Sequence, residues 1–370
     1  MYRSPAATRV GLLSDHRSNP VANCNTMTSL LSTTIAGSLP KPRWLSTPDQ
    51  IWADWLAEGE LLDEARRDAV RLAVGDQQAA GLDVITDGEQ TRQHFVTTFI
   101  EGLDGVDSDN RADVTIRQRY EASVPRVVGP VSRSRGVYVK DAKFLRSLTE
   151  QPIKYQLPGP MTMSDTLADD FYGDREQLAM VFAEILNEEA KELEMAGVDL
   201  IQFDEPAFNV FLDDVAGWGI EALERAAEGL SVTTAVHICY GYGIKANIEW
   251  KRSLGEEWRQ YEATFPVLAE SSIDQISIEV ANSNVPLELL DMLGDKDVLA
   301  GVIDVATDTV ETPEQVAETI RAVLEHVTPE KVYPCTNCGM VPLSRPVAQA
   351  KMTALADGAA IVRDEIAEVI

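Results

Sequence analysis

Residues 79–89 read AAGLDVITDGE, and residues 195–205 read MAGVDLIQFDE. Each runs from a helix end through a glycine into an apolar strand and stops on carboxylates, with a glutamate eight residues beyond the glycine. Short apolar or β-branched runs of this kind recur along the chain. They predict strands near residues 33–36, 82–86, 153–157, 200–203, 233–238, 275–280, 298–303 and 331–334. Between them lie amphipathic helices. Leu178, Val181, Phe182, Ile185, Leu186 and Leu193 share one face, with Asp174 as N-cap and Gly197 as the C-terminal glycine. Thr312 and Gln315 form a capping-box pair ahead of Val316, Ile320, Val323, Leu324 and Val327. Alternating βα units with apolar strands call for a parallel sheet in an α/β fold. Eight such units close most simply into a (β/α)8 barrel of the TIM type, with a doubly wound open sheet as the alternative. Residues 104–148 are too many for a plain βα loop. The alternating pieces VTIRQRY (114–120) and GVYVKDA (136–142) predict a hairpin inserted after the second strand, inside the same domain.

Composition sets outer bounds on function. The chain has 370 residues, 45% of them apolar, and 60 acids against 32 bases give a net charge of −28. So acidic a surface repels phosphate backbones and anionic bilayers, which argues against nucleic-acid or membrane partners. Arg126, Arg133 and Arg135 form no stripe interleaved with aromatics. No window approaches the ~18 consecutive apolar residues of a membrane helix. The four cysteines, Cys24, Cys239, Cys335 and Cys338, are too few for a disulfide scaffold and fit a reducing cytoplasm. Residues 1–26, with Arg3, Arg9, Arg17 and Asp15 but no apolar core, read as a disordered leader rather than a secretory signal. Met27 is the expected true start, and residues 27–370 the single folded domain.

In a βα barrel the chemistry belongs at the C-terminal ends of the strands. The unusual residues fall there: Gly37-Ser38, Asp87-Gly88-Glu89, Pro158-Gly159-Pro160, Asp204-Glu205, His237 with Cys239, Glu279, Asp304, and Cys335 with Cys338. His237 and Cys239 stand two residues apart, on one face of a strand, and offer imidazole and thiolate donors of the zinc type. Alone, such a pair is ordinary core packing, because free cysteine buries readily. The second cysteine pair, Cys335-Thr-Asn-Cys338, and Glu279 inside the apolar run ISIEV complete a candidate donor set. That set is His237, Cys239, Glu279 and one of Cys335 or Cys338. Glu89 and Asp204 form a second constellation, placed to hold a substrate ammonium or act as bases, with helix capping as the alternative for either residue alone. GYGIKAN (241–247) lacks the lysine spacing of a phosphate loop and reads as a tight turn. His94 is assigned to a helix after DGEQTR and His326 to a helix face, both as structural or exposed residues.

TTIAGSLPKP, DGEQTR, LPGPMT, IQFDEPAF, VHICYG, ISIE, GVIDV and TNCG occur in that order. In this the chain resembles the catalytic barrel of the cobalamin-independent methionine synthase family, and in particular its short "core" members. The resemblance implies a Zn2+ site of His237, Cys239, Glu279 and Cys338, the last matching the family's Cys-Gly position. It implies that homocysteine is held by Ala36, Gly37, Ser38, Glu89 and Asp204, with Glu89 and Asp204 as catalytic residues. The folate-dependent members carry an additional N-terminal half that helps to bind polyglutamylated folate. The tryptophan that packs on folate in those enzymes is Thr166 here, and their proton-donor histidine is Ala306. The methyl donor is therefore left between a methylated folate and a methylated corrinoid, with delivery by a partner protein as one route.

The expected chemistry is attack by a zinc-activated homocysteine thiolate on a methyl carbon, with Glu279 as the ligand that yields to substrate. One alternative uses the same metal to activate coenzyme M for attack on an epoxide, its sulfonate held by Arg92 or Arg133. Another is a zinc-stabilised binding protein without turnover, which would have all four metal positions filled by protein.

Overall fold

The computed structural model describes residues 30–47 and 51–369. The expected leader and Met27 lie outside them.

Six strands form one parallel sheet, paired side by side in the order in which the chain makes them. They are β3 (Lys154–Pro158), β5 (Leu200–Asp204), β6 (Thr233–His237), β7 (Gln275–Glu279), β8 (Asp297–Ile303) and β9 (Val332–Thr336). β3, β5 and β7 are buried along their whole length, as strands covered on both faces must be. The first two expected strands, 33–36 and 82–86, are extended runs rather than regular strands. They still make ladder-type bonds: Thr34 N–H donates to Pro334 O of β9, Val84 N–H to Thr33 O, and Lys154 N–H of β3 to Ile85 O. Ile85 also forms a parallel bridge with Ile153. The two edges of the six-stranded sheet are thus linked through these runs.

The helices follow the expected logic. Helix Arg175–Met195 buries Leu178, Phe182, Ile185, Leu186 and Leu193, and its first turn is capped by Asp174 accepting from Gln177 N–H at 3.1 Å. Helix Pro313–Leu324 carries the full Thr312/Gln315 capping box, but it stops short of Val327.

Residues 104–148 differ in part from expectation. Antiparallel strands β1 (Asp104–Ile116) and β2 (Tyr120–Ser132) turn at Arg117 and Gln118, both at positive φ, and the two-residue strand β4 (Ala168–Asp169) joins β2. VTIRQRY is therefore the turn with its flanks. GVYVKDA is no strand: it runs into helix Val139–Arg146, whose Ala142 and Leu145 face the core.

Glu205 shows how the fold uses a carboxylate for structure. It accepts from Met161 N–H and Thr162 N–H, both at 2.9 Å, and from Thr162 Oγ1 at 2.7 Å, so it satisfies the start of helix Pro160–Asp165. Burial pushes its carboxyl up to about 8, against those hydrogen bonds. Glu205→Ala leaves two buried N–H groups unpaired. It is expected to lower stability by about 2–4 kcal/mol, read as a lower denaturant midpoint with unchanged slope.

Candidate metal and substrate site

His237 ends β6, and Cys239 follows two residues on, so both side chains leave the same face. Cys338 lies just beyond β9. β6 and β9 are separated by β7 and β8, three strand spacings, or about 14 Å in a flat sheet. Their sulfurs are nevertheless 3.3 Å apart, so the sheet curves strongly between them. The donor atoms of His237, Cys239 and Cys338 all lie within 4.8 Å of one another, and all three residues are buried. His237 Nε2 is buried without a hydrogen-bond partner. The hydrogen bond with Cys338 and the neighbouring His237 pull the Cys239 thiol well below its ordinary range against burial, while Cys338 is pushed up by the same shared proton and by burial. Two adjoining buried thiols beside an unpartnered imidazole nitrogen are the donor chemistry of a soft divalent cation.

Cys335 is not part of this group. It packs with Leu200, Ala235 and Leu299, and burial pushes its thiol up to about 12. Glu279 is also outside the trio. One of its oxygens pairs with Lys251 Nζ, and the other accepts from Tyr240 N–H at 3.2 Å.

Ala36, Gly37, Ser38, Glu89, Asp204, His237, Cys239 and Cys338 line a single tight cavity of about 30 Å³. A lattice of interior polar groups sets their positions. Gln202 Nε2 donates to both Ala36 O and Asp204 Oδ1 at 2.7 Å, and Lys154 Nζ donates to Gln202 Oε1 at 2.9 Å. Thr336 Oγ1 accepts from Ala36 N–H and donates to Cys338 O, both at 2.9 Å, and Met340 N–H donates to Ser38 O at 2.8 Å. Gly37 is a glycine because a Cβ there would stand 2.6 Å from Glu89 Oε1. At Gly339 a Cβ would stand 2.0 Å from Ser38 Oγ. Burial, opposed by Arg92, raises the Glu89 carboxyl to about 7, and Asp204 and Asp87 add to the rise. Burial raises Asp204 to about 6 against His237 and the Gln202 hydrogen bond.

Several lining residues escaped the sequence reading. The tip of the β1–β2 pair brings Arg117, Arg119 and Tyr120 to the cavity, joined by Phe95, Tyr242 and Asn247. Arg119 donates to Tyr240 O at 3.2 Å and lies over Trp250, while Arg117 donates to Tyr120 OH at 3.0 Å. Arg117 Nη1, Arg119 Nε and Arg119 Nη2 are buried without a partner. The signal was present in VTIRQRY as two arginines flanking a turn, but nothing local says where the tip lands. The arginines singled out instead do not line this cavity. Arg92 is enclosed by Asp87, Tyr138 and Tyr155, and Arg133 is tied to Glu189 and Glu192. His94 is not helical; it precedes helix Thr97–Ile100, is buried, and stacks on Trp52 with ring centroids 3.9 Å apart. His326 lies just past helix Pro313–Leu324 and pairs with Asp291. Thr166 is buried and donates back to Thr162 O. Ala306 lies against Gly243, where an added Cβ would meet its Cα at 2.6 Å, so the GYGIKAN turn packs closely over that position.

The family described as "Cobalamin-independent synthase, Catalytic domain" matches residues 31–360. A methionine synthase of Saccharolobus solfataricus is 34% identical over 340 residues, which cover 91% of this chain and 96% of that one. A solved B12-independent methionine synthase from a Shewanella species, in complex with selenomethionine, is 63% identical. It covers 92% of this chain and 100% of its own, with a TM-score of 0.91. A more distant structure from Listeria monocytogenes, at 17% identity and a TM-score of 0.67, shares the fold.

Gly37→Ala places a methyl group against Glu89 and Gln156. It is expected to cost about 1–3 kcal/mol in unfolding free energy, whereas Gly75→Ala, with nothing within 4 Å, costs less than about 1 kcal/mol or is stabilising.

Proposed function

The chain belongs to the cobalamin-independent synthase catalytic-domain family, and on that premise we propose that it is a zinc-dependent methyltransferase that forms methionine from homocysteine. The observation that carries this reading is the buried trio of His237, Cys239 and Cys338 opening onto the cavity that also holds Glu89 and Asp204. With Glu279 paired to Lys251, three protein donors line the cavity, and a metal held by them would still accept a substrate sulfur. This arrangement supports a catalytic rather than a closed structural site.

In this reading His237, Cys239 and Cys338 would hold Zn2+, and Glu279 would serve as its fourth protein ligand. The metal supplies thiol activation: it stands in for the proton that an alkyl thiol otherwise keeps at neutral pH. The protein's own groups place the rest of the amino acid. Glu89 and Asp204 take the ammonium of homocysteine, and the backbone around Ala36, Gly37 and Ser38 takes its carboxylate. The lattice from Lys154 through Gln202 fixes Asp204 and Ala36 against the same substrate. Arg117 and Arg119, with unpartnered guanidinium nitrogens, face the methyl donor, a methylated folate or corrinoid presented from the hairpin side, directly or by a partner protein. The expected architecture is a closed (β/α)8 barrel with the β1–β2 hairpin inserted, formed by residues 27–370 as one domain. The bonds running from β9 through residues 33–36 and 82–86 to β3 support closure. Among the described residues no helix is long and apolar enough to cross a membrane, and we place the enzyme in the cytoplasm.

Two outcomes test the reading. Cys338→Ser and His237→Ala are each expected to lose stoichiometric zinc and methionine formation together; zinc retained by purified Cys338→Ser contradicts the ligand set. Glu89 must be ionised to hold an ammonium, and it gains its proton as pH falls through about 7. The KM for homocysteine is therefore expected to rise between about pH 8 and about pH 6, and Glu89→Gln is expected to flatten that rise.

A further inference from the structure

Lys251 touches the one proposed metal ligand that stands outside the trio. It lies in helix Lys245–Ser253, which begins just beyond the glycine turn that follows Cys239. Its side chain is 11% exposed, and its ammonium meets Glu279 Oε1, on a carboxylate only 3% exposed. Trp258 flanks the ammonium, with its ring centroid 5.5 Å from Nζ. The other carboxylate oxygen accepts from Tyr240 N–H, the peptide directly after Cys239. Glu279 is thus anchored one peptide from a trio member by one oxygen, while the other is neutralised by Lys251. Tyr261 OH accepts from Glu279 N–H at 3.2 Å and donates to Ile238 O at 2.8 Å, so the backbone beneath the carboxylate is held independently of its side chain.

A buried carboxylate needs a cation wherever it points. Two are available here: the ammonium of Lys251 and a metal in the trio. We propose that Lys251 is a positioning residue that competes with the metal for Glu279, and so keeps a coordination position open for the substrate sulfur. When homocysteine binds, Glu279 needs no solvent and no new partner, because it rests on Lys251. Without the ammonium, the carboxylate has the metal as its sole cation, and substrate must displace it into an apolar site. This inference rests on the zinc reading above and goes beyond it.

The two sides of the competition predict shifts of opposite sign. In Lys251→Met the dissociation constant for zinc, measured against a chromogenic chelator, is expected to fall about tenfold, and that for homocysteine, measured by calorimetry on zinc-loaded protein, to rise about tenfold. Lys251→Arg, which keeps the charge, is expected to stay near wild type in both. Lys251→Gln, milder for folding, is expected to shift both constants in the same directions by smaller factors. In a Glu279→Gln background, Lys251→Met is expected to move neither constant. A merely structural role for Lys251 would weaken zinc and homocysteine together, and that result overturns the proposal. Unchanged constants in Lys251→Met and Lys251→Gln, with wild type binding both ligands, also overturn it while leaving the zinc reading intact. Wild-type protein that takes up no stoichiometric zinc overturns both.

Discussion

Cys239 and Cys338 come from strands that are not neighbours, yet their sulfurs approach to 3.3 Å inside the protein. Two thiolates at that distance in a water-poor cavity repel strongly, so they are compatible only with a shared proton or a bound cation. Much of the surrounding structure enforces this contact. The parallel sheet must curve to bring the ends of β6 and β9 together. Thr336 ties the Cys338 loop to Ala36, and Gly339 lets Ser38 pack where a side chain would intrude. The arrangement that forces two sulfurs together also brings Ala36–Ser38 into the lining of the same cavity.

Charge within the cavity follows the same logic. Glu89 and Asp204 are buried, and burial raises both carboxyls. They are costly to fold around and gain full value only when a cation arrives. In the proposed function, the ammonium of an amino acid meets these carboxylates and its thiol meets the trio. Arg117 and Arg119 of the hairpin tip line the same cavity with unpartnered guanidinium nitrogens, so acidic and basic groups share one lining.

Local sequence carried the βα alternation, six of the eight strand positions as regular strands, the Asp174 cap and the Thr312 capping box, because each depends on neighbours a few residues apart. Scarcity and strand-end placement marked out His237, Cys239 and a cysteine of the Cys335/Cys338 pair; the resemblance pointed to Cys338, which is the one grouped with them. Three features were not legible, for different physical reasons. GVYVKDA alternates like a strand but starts a helix, since Ala142 and Leu145 find the core at helical spacing. Arg117 and Arg119 enter the cavity through a turn whose landing point is set by tertiary packing. Lys251 sits on an ordinary-looking polar helix, and its partner Glu279 is 28 residues away.

The central claim is that the trio holds a metal with a position open to the substrate sulfur. Zinc K-edge absorption on the metal-loaded protein, with and without homocysteine, tests it most directly. The account predicts two zinc–sulfur bonds in the free protein, from Cys239 and Cys338, and a third when homocysteine is added. A sulfur count that stays at two in the presence of saturating homocysteine would contradict it.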